Sequence, residues 1–146
     1  MRDSANFTLI GRVLLGLIFL VSAVHKITDP HGTQQYMMMM GMTSMTTLLY
    51  LGAVAIELAG SLSLLLGYRA RIGGWLLFAF LIPTTLIFHT HLADPNQFIH
   101  FLKNLSIMGG LLYVAQYGAG RYSIDAGLER ADTAEAPRPL RKVVHQ

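Results

Sequence analysis

Apolar residues in this chain gather into four long runs, Thr8–Val24, Thr46–Gly67, Ile72–Leu92 and Ile99–Tyr117, with polar residues mostly confined to the gaps. Each run holds about 17 to 22 residues, close to the ~20 that a helix needs to cross ~30 Å of hydrocarbon. No alternation of polar and apolar positions suggests barrel strands. Backbone groups inside a bilayer must bond to one another, so each run predicts a membrane-spanning helix. The connections Tyr68-Arg69-Ala70-Arg71 and Ala93-Asp94-Pro95-Asn96-Gln97 are short enough to force antiparallel turns. The predicted fold is all-α, a polytopic membrane protein built as an antiparallel four-transmembrane-helix bundle over residues 1–125. The remainder, 126–146, is polar and lacks apolar periodicity. It reads as a mobile cytoplasmic tail whose basic end rests on anionic membrane lipid.

Composition sharpens this picture. The 146 residues are 53% hydrophobic and only 13% charged, against about a quarter charged in an ordinary soluble domain. The net charge of +3 does not point to nucleic acid, because the arginines sit beside spans and are not interleaved with aromatics. Cysteine is absent, which removes disulfides, thiol redox chemistry, iron–sulfur clusters and covalent c-type haem. Arg2 before an apolar stretch is reminiscent of a secretion signal, but no A-x-A-like site follows, and the stretch reads as a retained first span. Arg2, Arg12, Arg69, Arg71 and Arg121 fall on one side, with Arg130, Arg138, Arg141 and Lys142 of the tail. The other side has only Lys26 and Lys103. The positive-inside rule then places both termini in the cytoplasm of a bacterial inner (plasma) membrane.

Polar residues within the runs are the candidates for function. Glu57 stands mid-span, where a lone carboxylate is costly unless paired. Arg12, Gly16, Phe19, Ala23 and Lys26 share one helical stripe of span one. Ala53, Glu57, Gly60, Leu64 and Gly67 form another on span two, and both are expected to face the interior. Glu57 lies ~15 Å from either end of its helix, while Arg12 and Lys103 lie ~6 Å inside opposite ends, so either cation can extend toward it. Arg12 is the favoured partner because its span is consecutive and guanidinium binds carboxylate at two points. Span three adds His89, and span four adds Lys103 and Asn104. Pro83 is expected to kink span three and widen a pocket beside Glu57, with Thr84 or Thr85 bonding the freed carbonyl.

Metal chemistry finds little support in the spacing. His89 and His91 are two positions apart and diverge on a regular helix, and no H-E-x-x-H occurs. Thioethers bind Cu(I), but the four consecutive methionines Met37 to Met40 cannot all face one ion. They suit an apolar helix lying in the membrane surface. No metal ligands are assigned.

Several segments together resemble one family. Gly11-Arg12, Phe19 through Lys26, Ile56-Glu57-Leu58-Ala59-Gly60 and Leu66-Gly67-Tyr68-Arg69-Ala70-Arg71 are similar to the DoxX family. So are Pro83-x4-Phe88-His89, Phe101-Leu102-Lys103-Asn104-Leu105 with Gly109-Gly110, and Gly118 through Asp125. The resemblance covers residues 7 to 125. It implies a four-helix inner-membrane protein linked to sulfur or quinone redox systems, or to complexes that defend against oxidative stress.

From the residues themselves, a quinone is the one redox ligand this chain can accommodate, given an apolar slot with donors and proton-exchanging groups. The candidate ligand-binding set is Arg12, Lys26, Glu57, His89, Lys103 and Asn104, with no catalytic residue assigned. Any oxidoreductase role is that of an accessory subunit. It needs an electron donor on a partner protein, because nothing here stores an electron. The alternatives are a non-catalytic scaffold or assembly factor and, with less support, a small-solute or proton transporter enlarged by homo-oligomerisation.

Overall fold

The computed structural model describes residues 2–135, folded into six helices: α1 (Arg2–Thr28), α2 (Pro30–Met39), α3 (Thr46–Leu66), α4 (Ala70–Phe88), α5 (Pro95–Tyr117) and α6 (Ile124–Glu135). Four of them, over Ala5–Thr28, Thr46–Leu66, Ala70–Phe88 and Pro95–Tyr117, are long and apolar enough to cross a membrane. They run alternately up and down, so α1 ends where α3 begins and α4 ends where α5 begins. One end of the bundle carries the α3–α4 turn (the Arg69 end). The other carries the end of α1 (the Lys26 end).

Helix limits follow local capping chemistry. Asp94 Oδ1 accepts from Asn96 N at 2.8 Å and Pro95 occupies the first turn, a start signal that opens α5 four residues before the expected Ile99. Asp29 and Pro30 open α2 in the same way. α4 closes at Phe88 with His89 as its cap, short of the expected Leu92, so His89 and His91 do not share a helix. Gly67 ends α3 at φ 66°, a left-handed conformation that glycine adopts without a Cβ clash.

Two further expectations are corrected. The stretch after Asp125 is not featureless through its first part, because α6 runs to Glu135. Ser123 Oγ accepts from Ala126 N at 3.1 Å, supplying a helix start, and Ala, Leu and Glu continue it. The basic stretch ending in Lys142, with its proposed lipid contact, lies outside the described residues. α4 continues through Pro83, and the threonines beside it do not take up the freed carbonyl. The hydroxyls of Thr84 and Thr85 bond to the carbonyls of Phe80 (2.9 Å) and Leu81 (2.7 Å), not to Ala79, whose carbonyl the proline frees.

Packing follows the small-residue stripes. α1 lies along α3 with Gly16 against Leu65 and Ser61. α3 meets α4 with Gly60 against Leu77, and α4 meets α5 with Gly74 against the Leu111–Ala115 backbone. α1 approaches α5 only sparsely, at Leu15 on Gly110. Phe19, Leu64, Leu77, Leu81, Leu111 and Val114 fill the centre. Leu14, Val21, Leu51, Leu62, Trp75, Leu86 and Leu102 point outward, as a lipid-facing surface requires. Arg12, Phe19 and Ala23 are buried on α1, and Glu57, Gly60 and Leu64 on α3, so both stripes face inward as the sequence predicts. Across the Lys26 end α2 forms a cover, with Tyr36 stacked on Phe88 at 5.5 Å and Met37 buried.

A Cβ at Gly74 would stand 3.1 Å from both the Leu111 carbonyl oxygen and the Ala115 nitrogen, backbone atoms that cannot turn aside. Gly74→Val is expected to lower stability by about 1–3 kcal/mol, as overpacking does. Gly109→Ala, which meets nothing within 4 Å, should leave it unchanged or slightly raised. Thermal unfolding in detergent measures both.

Candidate functional site

Side-chain direction on a helix decides which charges meet. Each Cα–Cβ bond tilts toward its helix's own N-terminus. Lys26, near the end of α1, therefore reaches back into the bundle. Glu57, on the antiparallel α3, leans toward the Lys26 end. They converge. Lys26 Nζ donates to Glu57 Oε1 and Oε2, both at 2.9 Å, and to Ser22 Oγ at 2.6 Å. Ser22 Oγ in turn donates to Glu57 Oε1 at 3.0 Å. This is the one ion pair among the described residues. Tyr50 fixes the neighbouring backbone by donating its hydroxyl to the Lys26 carbonyl at 3.0 Å.

The same rule separates Arg12 from Glu57, correcting the favoured pairing. Arg12 points toward the start of α1, away from the carboxylate. It donates to the carbonyl oxygens of Ala119 at 2.7 Å and Tyr122 at 2.9 Å. Those carbonyls follow the end of α5, where helical partners run out. Arg12 is 2% exposed, and its Nε is buried with no hydrogen-bond partner. Its guanidinium also lies against Gly67, which has no side chain to block it.

Lys103, the other suggested partner of Glu57, leans outward along α5 and meets His100 Nδ1 at 2.9 Å. His100 stacks on His89 with ring centroids 5.2 Å apart, and His89 Nδ1 lies 2.8 Å from Gln97 Oε1. Asn104, one position on, turns inward. Its Nδ2 donates to Thr85 Oγ1 at 3.0 Å, while its Oδ1 accepts no hydrogen bond among the described residues.

The six predicted residues thus fall into three groups. Lys26 and Glu57 join between α1 and α3, and His89, Lys103 and Asn104 gather along α4 and α5 toward the same end. Arg12 stands apart at the Arg69 end. Ser22, Thr85 and Gln97 complete these groups and were not singled out as binding residues in the sequence. Ser22 lies four residues before Lys26, the spacing that puts both on one helix face, and that was the available signal. No cluster of three or more metal-ligating His, Cys, Asp or Glu side chains occurs among the described residues.

A lysine and a glutamate joined inside a span, beside a four-helix core bounded by arginine-bearing turns, agree with the resemblance noted in the sequence. The DoxX family profile matches residues 7–90, more than half of the chain. This chain is a member of the DoxX family. It is 35% identical to the inner membrane protein YqjF of Escherichia coli (strain K12) over 122 residues, 84% of this chain and 92% of that protein. It is 32% identical over 123 residues to the inner membrane protein YphA of the same organism, covering 80% of this chain and 86% of YphA. No solved structure matches the chain significantly. The four spanning helices and these relatives identify it as a multi-pass inner-membrane protein. The profile ends at Thr90, so the polar groups of α5 lie beyond the matched part.

Glu57→Ala is expected to destabilise the DoxX protein by about 3–5 kcal/mol, because the Lys26 ammonium is left in a non-polar setting without its counter-charge. Replacing both at once, as Lys26→Met with Glu57→Leu, should cost much less than the single change. Unfolding of the two variants in matched detergent reads the difference. Arg12→Ala should cost about 1.5–3 kcal/mol for each charged hydrogen bond lost.

Proposed function

We propose that this DoxX-family protein is a membrane subunit that holds a small apolar ligand with carbonyl oxygens, a quinone, between the α1–α3 and α4–α5 pairs near the Lys26 end. The observation that carries this reading is Asn104. It is an inward, 6% exposed amide whose carbonyl oxygen accepts nothing among the described residues. It lies ~14 Å along α5 from the Lys26 end, close in depth to Glu57 at ~16 Å along α3. An amide oxygen without a donor from the described chain, at the depth of an intramembrane ion pair, suits a ligand with one polar head and an apolar body.

The remaining residues divide the work. The second Nδ2 hydrogen of Asn104 is available to a ligand carbonyl, and its Oδ1 to a ligand hydroxyl. The Lys26–Glu57–Ser22 cluster and the His89–His100 stack are the groups able to exchange protons. Quinone reduction consumes two electrons and two protons, and the electrons come from a donor on a partner protein. Sparse contact between α1 and α5 favours entry from the lipid side. Arg12 has no part in this site.

The orientation follows from charge. Arg69, Arg71 and Arg121 share the Arg69 end, and the positive-inside rule assigns that end and both termini to the cytoplasm. A reporter active only in the cytoplasm should work when fused after the last residue and fail when inserted between Asp94 and Pro95.

One observation favours a second reading. Both Glu57 oxygens and every Lys26 hydrogen are bonded internally, as in a pair that only fixes helix register in a scaffold. The test is extraction in native-membrane discs followed by chromatography of the bound small molecules. A quinone is expected at near-stoichiometric amount, and Asn104→Ala should lower it about tenfold. No quinone above the level of the surrounding lipid, with a stoichiometric protein partner instead, overturns the first reading and establishes the second.

A further inference from the structure

The Arg69 end carries a cleft of about 680 Å³ whose two walls bear opposite charge. Arg69, Arg71, Ile72 and Tyr117 form the membrane-helix wall, and Glu129 and Asp132 of α6 face it together with Leu128. The walls do not neutralise one another: Lys26–Glu57 is the one ion pair among the described residues. Asp125, which also lines the cleft, is already committed. Its Oδ1 accepts from Arg69 N at 2.7 Å and its Oδ2 from Ala70 N at 3.1 Å, capping α4.

The cleft is held open by the fold rather than by chance. Asp125 N donates to the Gly67 carbonyl at 3.0 Å, and Arg12 binds the carbonyls of Ala119 and Tyr122. Together they anchor the start of α6 to the α3–α4 turn. Arg71 rests on Gly118, where a Cβ would come within 3.1 Å of its Nε. Arg69 lies over the Tyr68 ring at 5.6 Å. Both guanidiniums are thus placed, and neither donates a hydrogen bond to the rest of the described chain.

We propose that this cleft binds the phosphoethanolamine headgroup of a membrane phospholipid. Phosphate is a natural partner for two adjacent guanidiniums, and the primary ammonium two carbons away would face Glu129 and Asp132. Ile72 and Tyr117 are exposed at the start of α4 and the end of α5, and Trp75 continues the same face one turn deeper. They offer acyl chains a path along the bundle, which favours the lipid over a free headgroup. A singly anionic headgroup without an ammonium would satisfy the arginines and leave the carboxylates facing it unpaired. A choline headgroup lacks N–H donors for them.

The test is native mass spectrometry of the full chain ejected from discs containing equal fractions of phosphatidylethanolamine, phosphatidylglycerol and phosphatidylcholine. The expected result is about fivefold preferential retention of phosphatidylethanolamine. Arg69→Gln with Arg71→Gln should weaken all three lipids. Glu129→Gln with Asp132→Asn should spare overall binding and erase the preference for ethanolamine over choline. Arg130→Gln, outside the cleft lining, should change neither. These positions are exposed on the surface, and unchanged helical circular dichroism checks that each variant folds. Equal retention of the three lipids, or variants indistinguishable from the parent, overturns the proposal. Competition by soluble O-phosphoethanolamine as strong as by the diacyl lipid overturns its assignment to a membrane lipid.

Discussion

Burying Glu57 at the middle of a membrane span obliges the fold to deliver a positive group to that depth, and Lys26 is the residue that arrives. The ammonium contacts both carboxylate oxygens and Ser22, so its three hydrogens are used and no formal charge is left uncompensated. The pair links α1 to α3 and sets their relative height. Gly16 on Leu65 and Tyr50 on the Lys26 carbonyl then fall into register along the same interface. A charge pair at this depth constrains sliding in a way that Leu and Ile contacts do not, because a shift of one turn would strand both partners in hydrocarbon.

The opposite end is tied by backbone capture. After α5 the chain must turn at Gly118 and Gly120 with its carbonyls unsatisfied, and Arg12 reaches from α1 to bind two of them. Asp125 completes the junction by capping α4 from across the bundle. Three separate spans are fastened at one point by an arginine and an aspartate. The helix ends are therefore tied together at the Arg69 end, around the cleft under α6, while α1 and α5 remain sparsely joined.

The four spans, the inward stripes and the polar residues worth attention could all be read from residue order. Pairing was harder. Proximity in sequence favoured Arg12 for Glu57, yet the tilt of helical side chains toward their own N-termini aims Arg12 and Lys103 away from it and Lys26 toward it. That rule needs only span direction, so the correct partner was available from the pattern and was missed by weighing depth, span order and guanidinium geometry without side-chain direction. The hydroxyl of Ser22 and the amide of Gln97 gave weaker signals, since such residues are ordinary at span ends. α6 was concealed for a different reason. Its apolar stripe of Ile124, Leu128 and Ala131 is short and set among polar residues, and its start depends on the Ser123 cap and on Asp125 docking to the α3–α4 turn.

Taken by itself, the order of residues determined the membrane class, the number of spans and which helix faces turn inward. Those properties depend on local hydropathy and on the helical repeat, both of which act within one segment. Only the tertiary structure decided that Arg12 serves carbonyls, that Asn104 leaves an acceptor open beside Thr85, and that Arg69 and Arg71 share a cleft with Glu129 and Asp132. Each of these joins segments that are distant along the chain, and their geometry is fixed by helix packing that no single run encodes.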